Sequence, residues 1–237
     1  MSRNFATDDK IDVGSPAVFD EFFLAGGTYA LWFKITDVTI SGRLVDHRGS
    51  GTVGNRFGPT FFFTTTNDKV GFYHDFTTSS VSWTELSDNT ITQDIWYFYA
   101  VTYNSSSSSN DPIIYRNGVA VSLIDVSPSG TQNHNTSSEL CFGAAQQGSN
   151  YLTGNLAHIQ LFNRVLSPEE IKQIMRFPGS IVNGRTGYWP LFGSASPEPD
   201  YSGNGNHGTV TGAIKGTSEP QINGIFQVPK PELITSF

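Results

Sequence analysis

The chain has 237 residues, 15% of them charged, with a formal net charge of −7. That length suits one large all-β domain, and an acidic chain with no clustered basic face argues against a nucleic-acid partner. A single cysteine, Cys141, permits neither an internal disulfide nor a cysteine metal site, and no stretch has the length and apolarity for membrane insertion as a helix.

The aromatic content, 18 Phe, 9 Tyr and 4 Trp, favours strands, and 24 Gly with 12 Pro supply the turns that a many-stranded sheet needs. FATDDKIDV opens the fold, with Ile11 and Val13 alternating after an acidic turn at Asp8 and Asp9. The segment MSRNFATDDKIDVG lacks the apolar run of a secretory signal, so folding in the cytoplasm of the producing cell, or trimming, is expected. GTYALWFKI (Gly27 to Ile35) reads as a long apolar strand, and GRLVDHR (Gly42 to Arg48) is expected to pair with it. TFFFTTT (Thr60 to Thr66) and KVGFYHDF (Lys69 to Phe76) are joined by Asn67-Asp68, a hairpin-type turn. IWYFYAVTY (Ile95 to Tyr103) is apolar on both faces, the mark of a central strand.

NSSSSSND (Asn104 to Asp111) is too polar to pack and reads as an exposed hairpin tip. In PIIYRNGVAVSLI, Asn117-Gly118 signals a type I′ hairpin. Asn133 to Ser138 is a second polar loop, and Cys141 in ELCFG reads as a buried structural thiol. In Tyr151 to Ile171, YLTGNLAHIQLFNRVLSPEEI, Ala157, Ile159 and Leu161 alternate with His158, Gln160 and Phe162, a strand with one face on a core. Ser167, Pro168 and Glu170 then form the cap, first position and capping box of a short helix, with Ile171, Ile174 and Met175 on one side. The expected class is therefore all-β: a jelly-roll β-sandwich of two antiparallel sheets with one short helix.

The segments FATDDKIDVG, IWYFYAVTYN, IIYRNGVAV and the closing strand–helix unit, in that order, resemble the laminin-G-like, concanavalin-A-like jelly rolls. GYWPLFGSASPEPDYSGNGNHGTVTG (Gly187 to Gly212) looks like the segment that begins such a domain, yet here it follows the closing helix. Its two short strands are expected to complete the same sandwich in permuted order; pairing with a neighbouring chain, as in a homo-oligomer, is the alternative. Residues 1–214 would form the jelly roll and 215–237 an extended arm anchored by Ile222, Ile225, Phe226 and Phe237. An appended tail and no secretion signal resemble laminin-G-like proteins of tailed-phage structural modules.

The resemblance implies binding rather than chemistry. Glycosidases of this fold carry E-x-D-x-x-E on one strand; here Glu198-Pro199-Asp200 begins that pattern and Gly203 ends it, so no catalysis is expected. Sugar binding needs an exposed ring and fixed polar groups, for which Tyr73, His74, Asp75 and Trp83 are the candidates. Trp32, Trp96 and Trp189 read as core; Trp83 leans the same way but lies in a loop-rich region. Arg43, Asp46 and Arg48 either face a groove or, the favoured reading, form a solvated edge. Asp200, Ser202, Asn204 and Asn206 alternate in a glycine-rich loop and are candidate calcium ligands, with Asp8 and Asp9 near if the termini meet. Asx-turns explain the same residues without an ion. The five histidines lack zinc spacing. The expected function is a non-enzymatic virion protein, a decoration or fibre-like component whose partners are virion proteins or host-surface glycans. A carbohydrate-binding or adhesion module of a cellular surface protein is the alternative.

Overall fold

The computed structural model describes residues 1–49, 58–132, 138–220 and 222. The polar loop at 133–137 and the arm anchors Ile225, Phe226 and Phe237 lie outside the described residues.

Two antiparallel sheets stack face to face. The first holds β1 (Arg3–Phe5), β3 (Gly27–Ile35), β8 (Trp96–Tyr103), β9 (Ile113–Arg116), β10 (Val119–Ala120), β12 (Gly154–Phe162), β13 (Arg185–Trp189) and β15 (Ile214–Lys215). The second runs β14 (Thr209–Thr211), β2 (Lys10–Gly14), β11 (Leu140–Phe142), β4 (Gly42–Asp46), β5 (Thr60–Thr64), β6 (Lys69–Asp75), β7 (Ser80–Thr84). This is the jelly-roll β-sandwich, with one α-helix, α1 (Pro168–Arg176), among the described residues.

Alternation builds the core. From the first sheet Tyr29, Leu31, Phe33, Tyr99, Val101 and Leu161 point inward; from the second, Phe61, Phe63, Val70, Phe72, Leu140 and Phe142 meet them. The Asn67-Asp68 turn joins β5 to β6 with φ of 62° and 42°, and Asn117-Gly118 joins β9 to β10 with 50° and 79°, the positive pair that a type I′ hairpin requires.

Two expectations need correction. β4 does not pair with β3; it sits in the opposite sheet between β11 and β5. The chain crosses from one sheet to the other between Ile35 and Gly42, so neighbouring strands in sequence are not neighbours in space. β12 is not half-exposed: all nine of its residues are buried. Its outer side is covered because α1 docks Ile171 and Ile174 over Trp32, Phe98, Ala157 and Phe162. That helix begins with the full Ser167–Glu170 capping box. Arg164 holds Glu170 through two contacts of 2.9 and 2.6 Å, and that guanidinium lowers the carboxyl to about 2.

The C-terminal segment returns to both sheets of its own chain. β12 offers one partner slot that two strands share: β1 pairs with its first half and β13 with its second. β14 pairs with β2, and β15 pairs with β1, so a strand spans position 214/215 where the arm was expected to begin. A buried ion pair locks this arrangement. Arg3 Nε donates to Glu198 Oε2 at 2.7 Å, and Arg3 Nη1 donates to the Ala213 carbonyl at 2.8 Å.

Candidate functional site

The outer face of the second sheet carries a polar and aromatic row. Register places Asp12, Cys141, Asp46, Thr60, Tyr73 and Ser82 side by side across six strands. These positions alternate with the core residues of each strand, so all project away from the core. In the next row Phe62 of β5 lies opposite Gly71 of β6. A Cβ on Gly71 would stand 2.6 Å from Phe62 Cζ, so the missing side chain lets that ring lie across β6.

Arg48 and Tyr73 form the centre of the patch. The guanidinium carbon of Arg48 sits 3.9 Å from the Tyr73 ring centroid, and Nη2 donates to the Tyr73 hydroxyl at 2.9 Å. Arg48 Nε lies 3.4 Å from Asp75 Oδ2. The Tyr73 hydroxyl and Ser80 Oγ both donate to Asp75 Oδ1. Burial, reinforced by the Asp75 carboxylate, raises the Tyr73 hydroxyl above the usual phenol range, so it stays a donor. Beside it Asp46, 2% exposed, accepts from Thr60 Oγ1 at 2.6 Å and from the Gln146 amide at 3.2 Å. Burial outweighs these bonds and raises its carboxyl. Arg43 lies over the Phe62 ring at 5.4 Å. The patch thus presents two guanidinium planes, each backed by an aromatic ring and set near a carboxylate. Cys141 is fully buried in the same row, and burial followed by the Asp12 carboxylate pushes its thiol up, in keeping with a structural residue.

The four candidate sugar-binding residues therefore separate by face. Tyr73 and Asp75 belong to the patch. His74, one position between them, turns inward among Phe23, Phe72, Phe76 and Tyr103. Trp83, 1% exposed, packs on Phe72 and Tyr103 and cannot offer a ring face to a ligand. Both corrections have one cause, the period-2 geometry that sends alternate residues to opposite sides. The same period separates Thr60 and Phe62, which face outward, from Phe61 and Phe63, and it was the available signal for the missed residues. Arg43, Asp46 and Arg48 are not a solvated edge: all three are at least half-buried on the patch.

The calcium candidates do not fit a cation. Asp200 Oδ1 accepts from the Tyr188 and Ser202 amides, and Oδ2 accepts from Ser202 Oγ and the Asn206 amide. Four donors fill the roughly four lone-pair positions of a carboxylate. Asn204 and Asn206 turn their amide nitrogens to the Thr186 carbonyl at 3.0 and 3.2 Å. The loop is a set of Asx-turns that pins residues 200–206 to β13. Glu198, the other carboxylate of the incomplete glycosidase pattern, is fully buried against Arg3.

Comparison with known proteins agrees with this architecture. A search of curated proteins finds no match. Among solved structures, a candidate carbohydrate binding protein from Bacteroides ovatus superposes with TM-score 0.66 at 17% identity, over 94% of this chain and 61% of that one. The chain thus spans less than two thirds of that structure's length. The CBM40 of the Ruminococcus gnavus IT-sialidase, bound to α2,3 sialyllactose, gives 0.51 at 18% identity, over 65% of this chain and 84% of that one. The heptameric SAP-like pentraxin of Limulus polyphemus gives 0.50 at 10% identity, over 77% of this chain and 82% of that one. At these identities the likeness shows the fold alone. The sequence profile Laminin_G_3 matches residues 5–172, and the chain belongs to the concanavalin A-like lectin/glucanases superfamily.

Proposed function

We propose that this protein binds carbohydrate on the outer face of its seven-stranded sheet and carries out no catalysis. The observation that carries the reading is the Arg48–Tyr73–Asp75 cluster: a guanidinium plane 3.9 Å above an aromatic ring, tied to a carboxylate, on one face with Phe62, Arg43 and Asp46. Carbohydrate recognition needs flat surfaces for the C–H face of a pyranose and fixed donors and acceptors for its hydroxyls. Two arginines on that face also suit a glycan bearing a carboxylate, since guanidinium groups pair with carboxylates in a bidentate manner. The sialyllactose bound by the Ruminococcus gnavus CBM40 is such a glycan. A glycan array probed with the labelled chain and with Tyr73→Ala tests this: signal confined to the unaltered chain supports it, and silence of both overturns it.

The setting we propose is a phage particle, where the chain serves as a decoration or fibre-like component that meets host-surface glycans. What supports it is the resemblance to laminin-G-like phage proteins and the permuted order, in which Gly187 to Gly212 follows the closing helix. Mass spectrometry of purified particles tests it: the chain present at stoichiometric level supports the reading. Its absence from particles, with the chain on a cell surface, favours an adhesion module instead.

A further inference from the structure

We propose a second ligand site, for a neutral hexopyranoside, in a cleft at the end of the sandwich beside Asp111, distinct from the sheet-face patch in its lining. The loop that forms it is ordered by its own bonds. Asn104 Oδ1 accepts from the Ser106 amide at 3.0 Å, the Asn104 carbonyl accepts from Asn110 Nδ2 at 2.9 Å, and the Ser105 amide donates to the Phe23 carbonyl at 2.8 Å. Ser105 is 2% exposed and Ser109 lines the cleft, while Ser106, Ser107 and Ser109 stand exposed as expected of a tip.

Two adjoining clefts, of about 430 and 270 Å³, share Asp111 and Ile113. The larger falls within the ~300–1,000 Å³ of small-molecule sites. Asn104, Ser109, Asn110 and Asp111 supply its polar groups, with Val165 and Ile113 as aliphatic surface, 47% and 45% exposed. Asp111 is oriented from within. Its Oδ1 accepts from Trp83 Nε1 at 3.0 Å, and that indole is itself 1% exposed. One donor occupies a carboxylate that accommodates about four, so acceptor positions remain for a vicinal pair of hydroxyls. The buried Trp83, which offers no ring to a ligand, thus sets the direction of a carboxylate that faces one.

The chemistry of the lining selects the ligand class. Neither cleft has a lysine or arginine in its lining, and Asp111 and Asp125 give both a negative character. Amide and hydroxyl groups beside a carboxylate match an uncharged polyol, aliphatic side chains match the C–H face of its ring, and a carboxylated sugar is repelled. The two sites therefore differ in lining: the sheet face sets each arginine beside a carboxylate, whereas the charged groups lining the end clefts are acids alone.

The test is a ¹⁵N-correlation titration of the full chain with methyl α-mannoside, methyl α-glucoside and methyl β-galactoside at millimolar concentrations. At least one is expected to give saturable shifts of the Trp83 indole N–H and the amides of residues 104–113. These shifts are expected to persist in Tyr73→Ala and to weaken about tenfold or more in Asp111→Asn, which keeps an acceptor for Trp83. Val165→Arg, at a surface position, provides a second block independent of Asp111. No shift with any of the three glycosides overturns the proposal, as do shifts that both variants leave unchanged or that methyl-sialoside reproduces equally. Perturbation confined to Tyr73 and its neighbours would overturn this site while leaving the sheet-face reading in place.

Discussion

Replacing Arg3 by Met should open the sandwich at the point where the two ends of the chain meet. Arg3 is 1% exposed and Glu198 0%, joined at 2.7 Å, so no water stands ready to solvate a survivor. Removing one partner of a buried pair strands the other charge and costs about 3–5 kcal/mol. Loss of the bond to the Ala213 carbonyl acts on the same atoms and is not added separately. Against a total stability of about 5–15 kcal/mol this is a large fraction. For a domain of this size it lowers Tm by about 6–20 °C. Urea unfolding followed by tryptophan fluorescence measures it. Arg3→Met with Glu198→Met should recover much of the loss, because no charge is then left buried. An Arg3→Met chain within about 1 kcal/mol of the parent, or a double variant no better than the single one, would refute this account of how the C-terminal segment is held.

Acid should weaken the fold through its histidines. Burial holds His47, His74 and His158 at about 4, against about 6.5 in the unfolded chain. Their contribution is complete above pH 6.5 and is lost as pH falls toward 4, because only the unfolded chain takes up the protons there. Each loses about 3 kcal/mol of stabilisation by the acid end of that range, opposed by Asp46, whose raised carboxyl favours the folded form on protonation. His74→Phe should flatten the pH dependence of urea midpoints between 6.5 and 4. Gly71→Ala should cost about 1–3 kcal/mol, since its methyl meets Phe62 at 2.6 Å and Thr84 at 2.8 Å; the same titration reads it. Ser167→Ala should cost about 1 kcal/mol by removing the helix cap, measured in the same way.

The strands, both hairpins and the capped helix were legible because each is written locally: Asn-Gly for a turn, Ser-Pro-Glu-Glu for a helix start, alternation for a strand. Sheet membership was not, because it depends on partners far apart in sequence. Nothing near Gly42 to Asp46 reveals that β4 belongs opposite β3. The same limit separated the candidate residues. Tyr73, His74, Asp75 and Trp83 are close in the chain, but their sides follow from which face of β6 and β7 meets the core. Arg48 could be placed on Tyr73 only once β4, β5 and β6 were known to be adjacent. The Asp200 loop was readable as Asx-turns or as a cation loop from composition alone, and the count of donors on one carboxylate separated the two.

The central claim is that the outer face of the seven-stranded sheet meets a glycan. Isothermal titration with the strongest ligand from the array, on the parent chain and on Tyr73→Ala and Arg48→Met, tests it most directly. The account predicts saturable binding to the parent, weakened about tenfold or more in each variant, with both variants still folded at the assay temperature although Arg48→Met loses stability by leaving the buried Asp75 without its guanidinium. Undiminished affinity in both folded variants would contradict it.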